Sequence, residues 1–391
     1  MAGLLDIVLL GVGGVGLYEG YYLVTDTAPY FRPDPLYNFL RSLMLGIGGN
    51  GSTCHGTCTT GYHLDTATCT CVPNTGGGGG GGTPGLKYTY SYKFGTHGSG
   101  NGQFLNPHDV AFDSTGNVYV TDRDRNDIQV FTHTGQFIRK FGGTGSAPGK
   151  FSVPYSCDFD PTGTYFYVAD RANNRIQKLT KDGVPISQIT SGGGKTFNAP
   201  EDVIFDKVDG SIYICDTGNE RVCKFDKNHK FLLAWGKKGS GNGQFDHPHS
   251  SDVGLDRNVY ISSGNQGYIQ VFNPTGQYLR RFSSPGKNDG QLLTFLEHMD
   301  IDIFGRLHIV NNNLRPIVSV FECSTGRYLT KYGFPEKEGG ANGQFREPEH
   351  VTCDAQGKPF VVDCKNFRIQ VFNVNVSASS YARAISYRNP I

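Results

Sequence analysis

GSGNGQFLNPHDVAFDSTGNVYVTDRDRNDIQVFTHTGQFIRKFG, residues 98–142, is a phrase that the chain repeats. It returns as GKFSVPYSCDFDPTGTYFYVADRANNRIQKLTKDGVPISQI over 149–189 and as KTFNAPEDVIFDKVDGSIYICDTGNERVCKFDKNHKFLLAWG over 195–236. Phe131, Leu179, Phe225, Phe272, Phe321 and Phe372 hold equivalent places, so six copies follow one another at steps of 46 to 51 residues. A period of this size has to be settled before any shorter motif is interpreted. Within the first copy DVAFD, VYVTD, IQVF and QFIRKF are short alternating or apolar runs divided by turn residues such as Thr115-Gly116-Asn117, which predicts four antiparallel strands. A small sheet that is apolar on both faces must stack on neighbours, and six such sheets arranged radially close a ring without a long bare edge. The expected fold is all-β, a six-bladed β-propeller.

Closure of the ring makes a second demand. The sixth copy ends after RIQVFNVNV and lacks its own last strand, while KYTYSYKFG, residues 87–95, matches the outer-strand phrases GQFIRKFG and GRYLTKYG and directly precedes the first copy. Residues 86–95 are therefore expected to pair onto blade six and clasp the ring.

Several features recur in register: GQF, a Pro at the start of the inner strand, a D-x-x-G turn, V-Y-V-x-D and R-I-Q-V-F. Over residues 86–374 these repeats resemble the NHL family of propellers. The resemblance implies the fold; because the family includes protein-interaction and RNA-binding modules, cell-surface proteins and a peptide-amidating lyase, it implies no single activity.

Composition narrows the partners. Among 391 residues, 36 Lys and Arg face 35 Asp and Glu, a formal charge of +1, so no global field draws the chain to nucleic acid or acidic lipid. With 37% hydrophobic residues the chain is not disordered throughout, and 54 Gly, 21 Tyr and 26 Phe beside three Met and one Trp suit short strands joined by tight turns.

Ahead of the repeats lie three further segments. Residues 1–50 form an apolar arm that begins GLLDIVLLGVGGVGLYEGYYLV at residue 3 and includes Leu4, Leu5, Ile7, Val8, Leu9 and Leu10. Asp6, Glu19 and the lack of Lys or Arg before Arg32 fit neither an ordinary secretory signal nor a membrane span, although membrane contact through this arm stays open. The preferred role is a docking arm for another copy. Asp34-Pro35 predicts the start of a short helix reaching about Leu45, with Leu36, Phe39, Leu40 and Leu43 on one face, which either covers the propeller or meets a second copy.

Residues 51–73 carry Cys54, Cys58, Cys69 and Cys71 as C-x3-C-x10-C-x-C, which reads as a disulfide module in preference to a zinc site and resembles part of an EGF-like module. Residues 74–85 contain seven consecutive glycines and read as a linker, and residues 375–391 form a C-terminal tail. Two N-x-S sequons, at Asn50 and Asn375, agree with the oxidising secretory route that the cysteine module suggests, and so with an extracellular or cell-surface location. Some of the six blade cysteines are expected to pair as well.

The residue after the proline of each copy begins the innermost strand and should face the mouth of the central channel. These positions read His108, Tyr155, Glu201, His249, Glu297 and Glu349, with Leu296 replacing the proline before Glu297. Imidazole and carboxylate suit a divalent cation, so His108, Glu201, His249, Glu297 and Glu349 are candidate metal ligands; the alternative is a polar lining for a water-filled channel. Pro107-His108-Asp109 and Pro248-His249-Ser250 resemble zinc phrases of the peptide-amidating lyase, but Glu201 and Glu297 stand where a third histidine would be needed. Arg123, Arg125, Arg171, Arg175, Arg221 and Arg368 recur after the second strand beside Asp122, Asp170, Asp216 and Asp363, which predicts intrablade ion pairs and turn hydrogen bonds and not a phosphate-binding ring. No catalytic residue is assigned. The sequence thus favours an extracellular interaction scaffold that self-assembles through its apolar arm, with a filament or surface appendage as its sharpest form, over a metal-dependent lyase.

Overall fold

The computed structural model describes residues 62–65, 70–73, 86–312, 316–333 and 338–375. The chain divides within the glycine run into Met1–Gly78 and Gly79–Ile391. In the first unit Tyr62–Asp65 pairs antiparallel with Thr70–Pro73. The proposed helix, the arm residues, Asn50, Cys54, Cys58 and Cys69 lie outside the described residues.

The second unit is a propeller of six four-stranded sheets among the described residues. Blade one consists of Pro107–Phe112, Val118–Asp122, Asp127–Phe131 and Phe137–Gly142, paired in chain order from the axis outward. Blades two to five repeat this order. In blade six Pro348–Cys353, Pro359–Asp363 and Arg368–Asn375 are completed by Lys87–Phe94, so the predicted clasp is present. Each blade carries a register shift at one place in its outer pair. It falls between Val130 and Phe131 in blade one and between Tyr90 and Tyr92 in the clasp, so the borrowed strand reproduces even the local kink.

Six buried clusters lie between successive blades, because each sheet is apolar on both faces. Phe104, Val120 and Phe131 of blade one meet Phe360 and Val371 of blade six in the cluster that closes the circle. The phasing residues Phe131, Leu179, Phe225, Phe272, Phe321 and Phe372 are all buried in these clusters. Four large tyrosines, Tyr119, Tyr167, Tyr213 and Tyr260, fill equivalent places in blades one to four.

The intrablade ion pairs form as Arg175–Asp170 at 2.8 Å, Arg221–Asp216 at 2.7 Å and Arg368–Asp363 at 2.6 Å. Each arginine also donates to carbonyls of the loop entering its blade, as Arg368 does to Gly340, Ala341 and Gln344. In blade one Arg125 takes this role but pairs with Asp127.

The expected blade disulfides are not formed. Cys157, Cys215, Cys223, Cys323, Cys353 and Cys364 are free. Strand alternation explains the nearest pair: Cys215 and Cys223 belong to adjacent strands of blade three but enter different interblade clusters, on opposite faces of the sheet. Cys157 and Cys323 likewise serve as small apolar core residues. Asn375 is exposed at the end of its strand.

Candidate functional site

Inner strands converge on the axis, so side chains from all six blades meet there although they are distant in sequence. His108 lies against Tyr155, ring centroids 3.8 Å apart, and its Nδ1 donates to the Tyr155 carbonyl at 2.9 Å. The Tyr155 hydroxyl reaches His249 Nε2 at 3.2 Å, joining blades two and four across the mouth. Arg123 and Arg171 sit over the same tyrosine ring at 5.0 and 5.4 Å.

Of the five candidate ligands, Glu201, His249 and Glu297 come together. His249 Nε2 is 3.6 Å from Glu201 Oε2 and 3.4 Å from Glu297 Oε2. His108 instead faces Glu349 at 3.7 Å, and Glu349 in turn adjoins Glu297. Burial and the adjacent Glu349 push the Glu297 carboxyl well up, and burial raises Glu349 as well despite Arg123. Burial works against charge on Glu201 too, yet His247, His249 and Arg171 together hold it down at about 2. Arg171 Nε donates to Glu201 Oε1 at 2.7 Å.

Behind this ring is a second tier. His298 stands between the blades, 5.5 Å from the His108 ring centroid and 4.7 Å from that of His249. His350 Nδ1 sits against Asp109 Oδ1, and Asp109 Oδ2 accepts from the Cys157 amide at 2.7 Å. Asp202 accepts from Ser156 at 2.9 Å and Ser251 at 3.0 Å, tying blades two, three and four.

Burial pushes His298 and His350 down to about 3. They stay neutral in the folded protein, whereas imidazoles of the unfolded chain take protons near pH ~6.5, so both groups withdraw stability as the pH falls from there toward 3. Burial raises Asp202 to about 6 and Asp300 to about 7, and these carboxyls act in the opposite sense. A nitrogen NMR titration is expected to find His298 and His350 neutral at pH ~5; protonation of both at an ordinary imidazole value would contradict their burial.

The sequence reading missed His247. It precedes Pro248 in a left-handed turn at φ 66, a place held by Val153, Ala199, Phe295 and Glu347 in other blades, also with positive φ. This turn swings its ring onto the central face, where Nε2 lies 2.9 Å from Glu201 Oε2. The signal was the phrase His247-Pro248-His249, with a histidine on each side of the strand-starting proline.

Similarity to known proteins agrees with this architecture. Residues 104–131 match the NHL repeat. The NHL-repeat match falls in blade one, whose pattern the other five blades reproduce. The chain is 28% identical over 191 residues to NHL repeat-containing protein 3 of Mus musculus, covering 44% of this chain and 51% of that protein. It is 25% identical over 141 residues to protein brain tumor of Drosophila melanogaster, covering 36% and 13%, and 32% identical over 94 residues to peptidyl-glycine alpha-amidating monooxygenase B of Xenopus laevis, covering 22% and 11%. The chain thus spans about half or less of these relatives' own lengths. Among solved structures, a protein of unknown function from Bacteroides thetaiotaomicron superposes with a TM-score of 0.59 at 15% identity, covering 74% of this chain and 76% of that one. The virginiamycin B lyase of Staphylococcus aureus superposes with a TM-score of 0.51 at 13% identity, covering 74% and 99%. At such identities the likeness concerns fold alone.

Proposed function

We propose that this protein is an extracellular scaffold whose propeller offers surfaces to partner proteins and whose residues 1–50 join copies into an oligomer or filament. The observation that carries partner binding is a repeated apolar position. Ile138, Ile186, Leu232 and Leu279 each stand one residue into the outer strand of blades one to four and are 41–48% exposed. In blade five the equivalent Leu329 is buried. Single exposed apolar residues are common, but the same place left open on four successive blades is the kind of surface that a partner covers. Self-assembly is supported by the apolar run from Leu4 to Leu10 and by the Leu36, Phe39, Leu40 and Leu43 face, and the location by the four clustered N-terminal cysteines and the Asn50 and Asn375 sequons.

Light scattering of the full chain and of a form lacking residues 1–50 tests the assembly. The full chain is expected to form large particles and the truncated form to be monomeric; a full chain that stays monomeric at high concentration would reject self-assembly. A metal-dependent lyase is the second reading, favoured by the Tyr155 hydroxyl beside His249 and opposed by glutamates where further histidines would be needed.

A further inference from the structure

We infer that the channel mouth holds one zinc-type divalent cation between Glu201, His247 and His249, with the fourth position open toward the channel. This set differs from the one suggested by the Pro-His phrases alone, since it uses a histidine from a turn and omits His108. It goes beyond the scaffold reading and does not depend on it.

Spacing is the first argument. Zinc bonds of about 2.0–2.1 Å in a tetrahedron put ligand atoms roughly 3.3 Å from one another. Here Glu201 Oε2 lies 2.9 Å from His247 Nε2 and 3.6 Å from His249 Nε2. The donor atoms of Glu201, His247 and His249 all fall within 4.8 Å of each other. Two imidazoles and a carboxylate are a familiar zinc donor set.

Unanswered polarity is the second. Glu201 is almost wholly buried, yet its Oε2 accepts no hydrogen bond of normal geometry despite the nearby ring nitrogens. Its other oxygen is held by Arg171 at 2.7 Å, so Oε2 is aimed at the two imidazoles. An outer partner fixed to the far side of a ligand is how proteins orient metal-binding groups. The His247 backbone is steadied in turn by its amide, which donates to Glu220 at 2.8 Å.

Competing clusters lack this opening. Asp302, His308 and Cys353 are close enough to share an ion, but Asp302 already pairs with the Arg306 guanidinium. Asp109, His298 and His350 also lie close, but Asp109 Oδ2 is taken by the Cys157 amide and Oδ1 by the Val110 amide at 2.5 Å.

Calorimetric zinc titration of the full chain, stripped beforehand with a chelator, tests the inference. One zinc per chain is expected. His247→Asn preserves a residue type that accepts the left-handed turn, so it should still fold to a cooperative domain. It should nevertheless bind zinc at least ~100-fold more weakly, while Arg171→Gln, which removes only the outer partner, should weaken binding by roughly 10–100-fold. His97→Gln, at an exposed histidine outside the site, serves as the control and should keep full affinity. The inference is overturned if the intact chain takes up no zinc, if His247→Asn binds as tightly as the parent, or if His97→Gln abolishes binding while His247→Asn does not.

Discussion

Removing residues 86–95 is expected to abolish cooperative folding of the propeller, although the deleted strand is only one of twenty-four in the six blades. The reason is where its side chains go. Tyr88 stacks on Tyr332 with centroids 4.5 Å apart and joins the cluster between blades five and six. Phe94 packs on Phe131 at 5.0 Å and joins the cluster between blades six and one. One strand thus contributes to both interfaces of the closing blade. Truncating a single buried Phe costs about 3–5 kcal/mol, against a total stability of about 5–15 kcal/mol for a typical domain. Phe94→Ala alone should therefore move the urea midpoint down sharply, and loss of the whole strand should leave no folded baseline. Gly135 sharpens the point: it has φ 85, and a Cβ placed there would lie 2.5 Å from the Phe94 Cβ. A truncated chain that unfolded at the parent midpoint would show that the wheel holds without its clasp.

Arg306→Met is expected to have the second large effect. Arg306 Nε donates to Asp302 Oδ2 at 2.6 Å, and both residues are buried. His308 Nε2 lies 3.2 Å from the same oxygen, and its Nδ1 is 3.2 Å from the Tyr332 hydroxyl. Burial works against the Asp302 charge, but His308 and Arg306 overcome it and hold the carboxyl below its ordinary value. Taking away the guanidinium leaves the buried carboxylate without its permanent cation, with His308 as its remaining side-chain partner, at a cost of up to about 3–5 kcal/mol. The sign of the pH dependence then reverses. In the parent, the depressed Asp302 contributes stability above its unfolded value, and that contribution fades as the pH falls through the folded one. In the variant the buried carboxyl, without the guanidinium, takes its proton more readily, so acidification should recover part of the loss. Adding Asp302→Leu should recover it at neutral pH. Chemical unfolding of the three proteins at pH ~7 and ~5 reads these differences, and a single variant as stable as the parent at both would refute the account.

How far the chain could be read in advance depended on whether the decisive contact was periodic. Phe131, Leu179, Phe225, Phe272, Phe321 and Phe372 announced six sheets because each sits at the same step, and KYTYSYKFG announced the clasp because it copied a phrase missing elsewhere. His108, Tyr155, Glu201, His249, Glu297 and Glu349 were legible as a ring because all begin inner strands. Which of them touch was not, since that follows from side-chain direction across the axis: His249 meets Glu201 and Glu297, while His108 turns to Glu349. His247 escaped notice because a turn preceding the strand carries no strand periodicity, and only its left-handed backbone brings it inward. The blade cysteines were misjudged because their number suggested pairing, whereas alternation sends Cys215 and Cys223 to opposite faces.

The clasp has one more result. Lys87 is the direct cross-strand neighbour of Asn375, so the polypeptide enters and departs the wheel at adjacent points on the rim of a single blade. Anything tethered ahead of residue 86 and anything attached beyond residue 375 must share that doorway. A short covalent bridge between those points would let new termini be opened in a loop of any other blade, which makes the propeller a natural candidate for circular permutation.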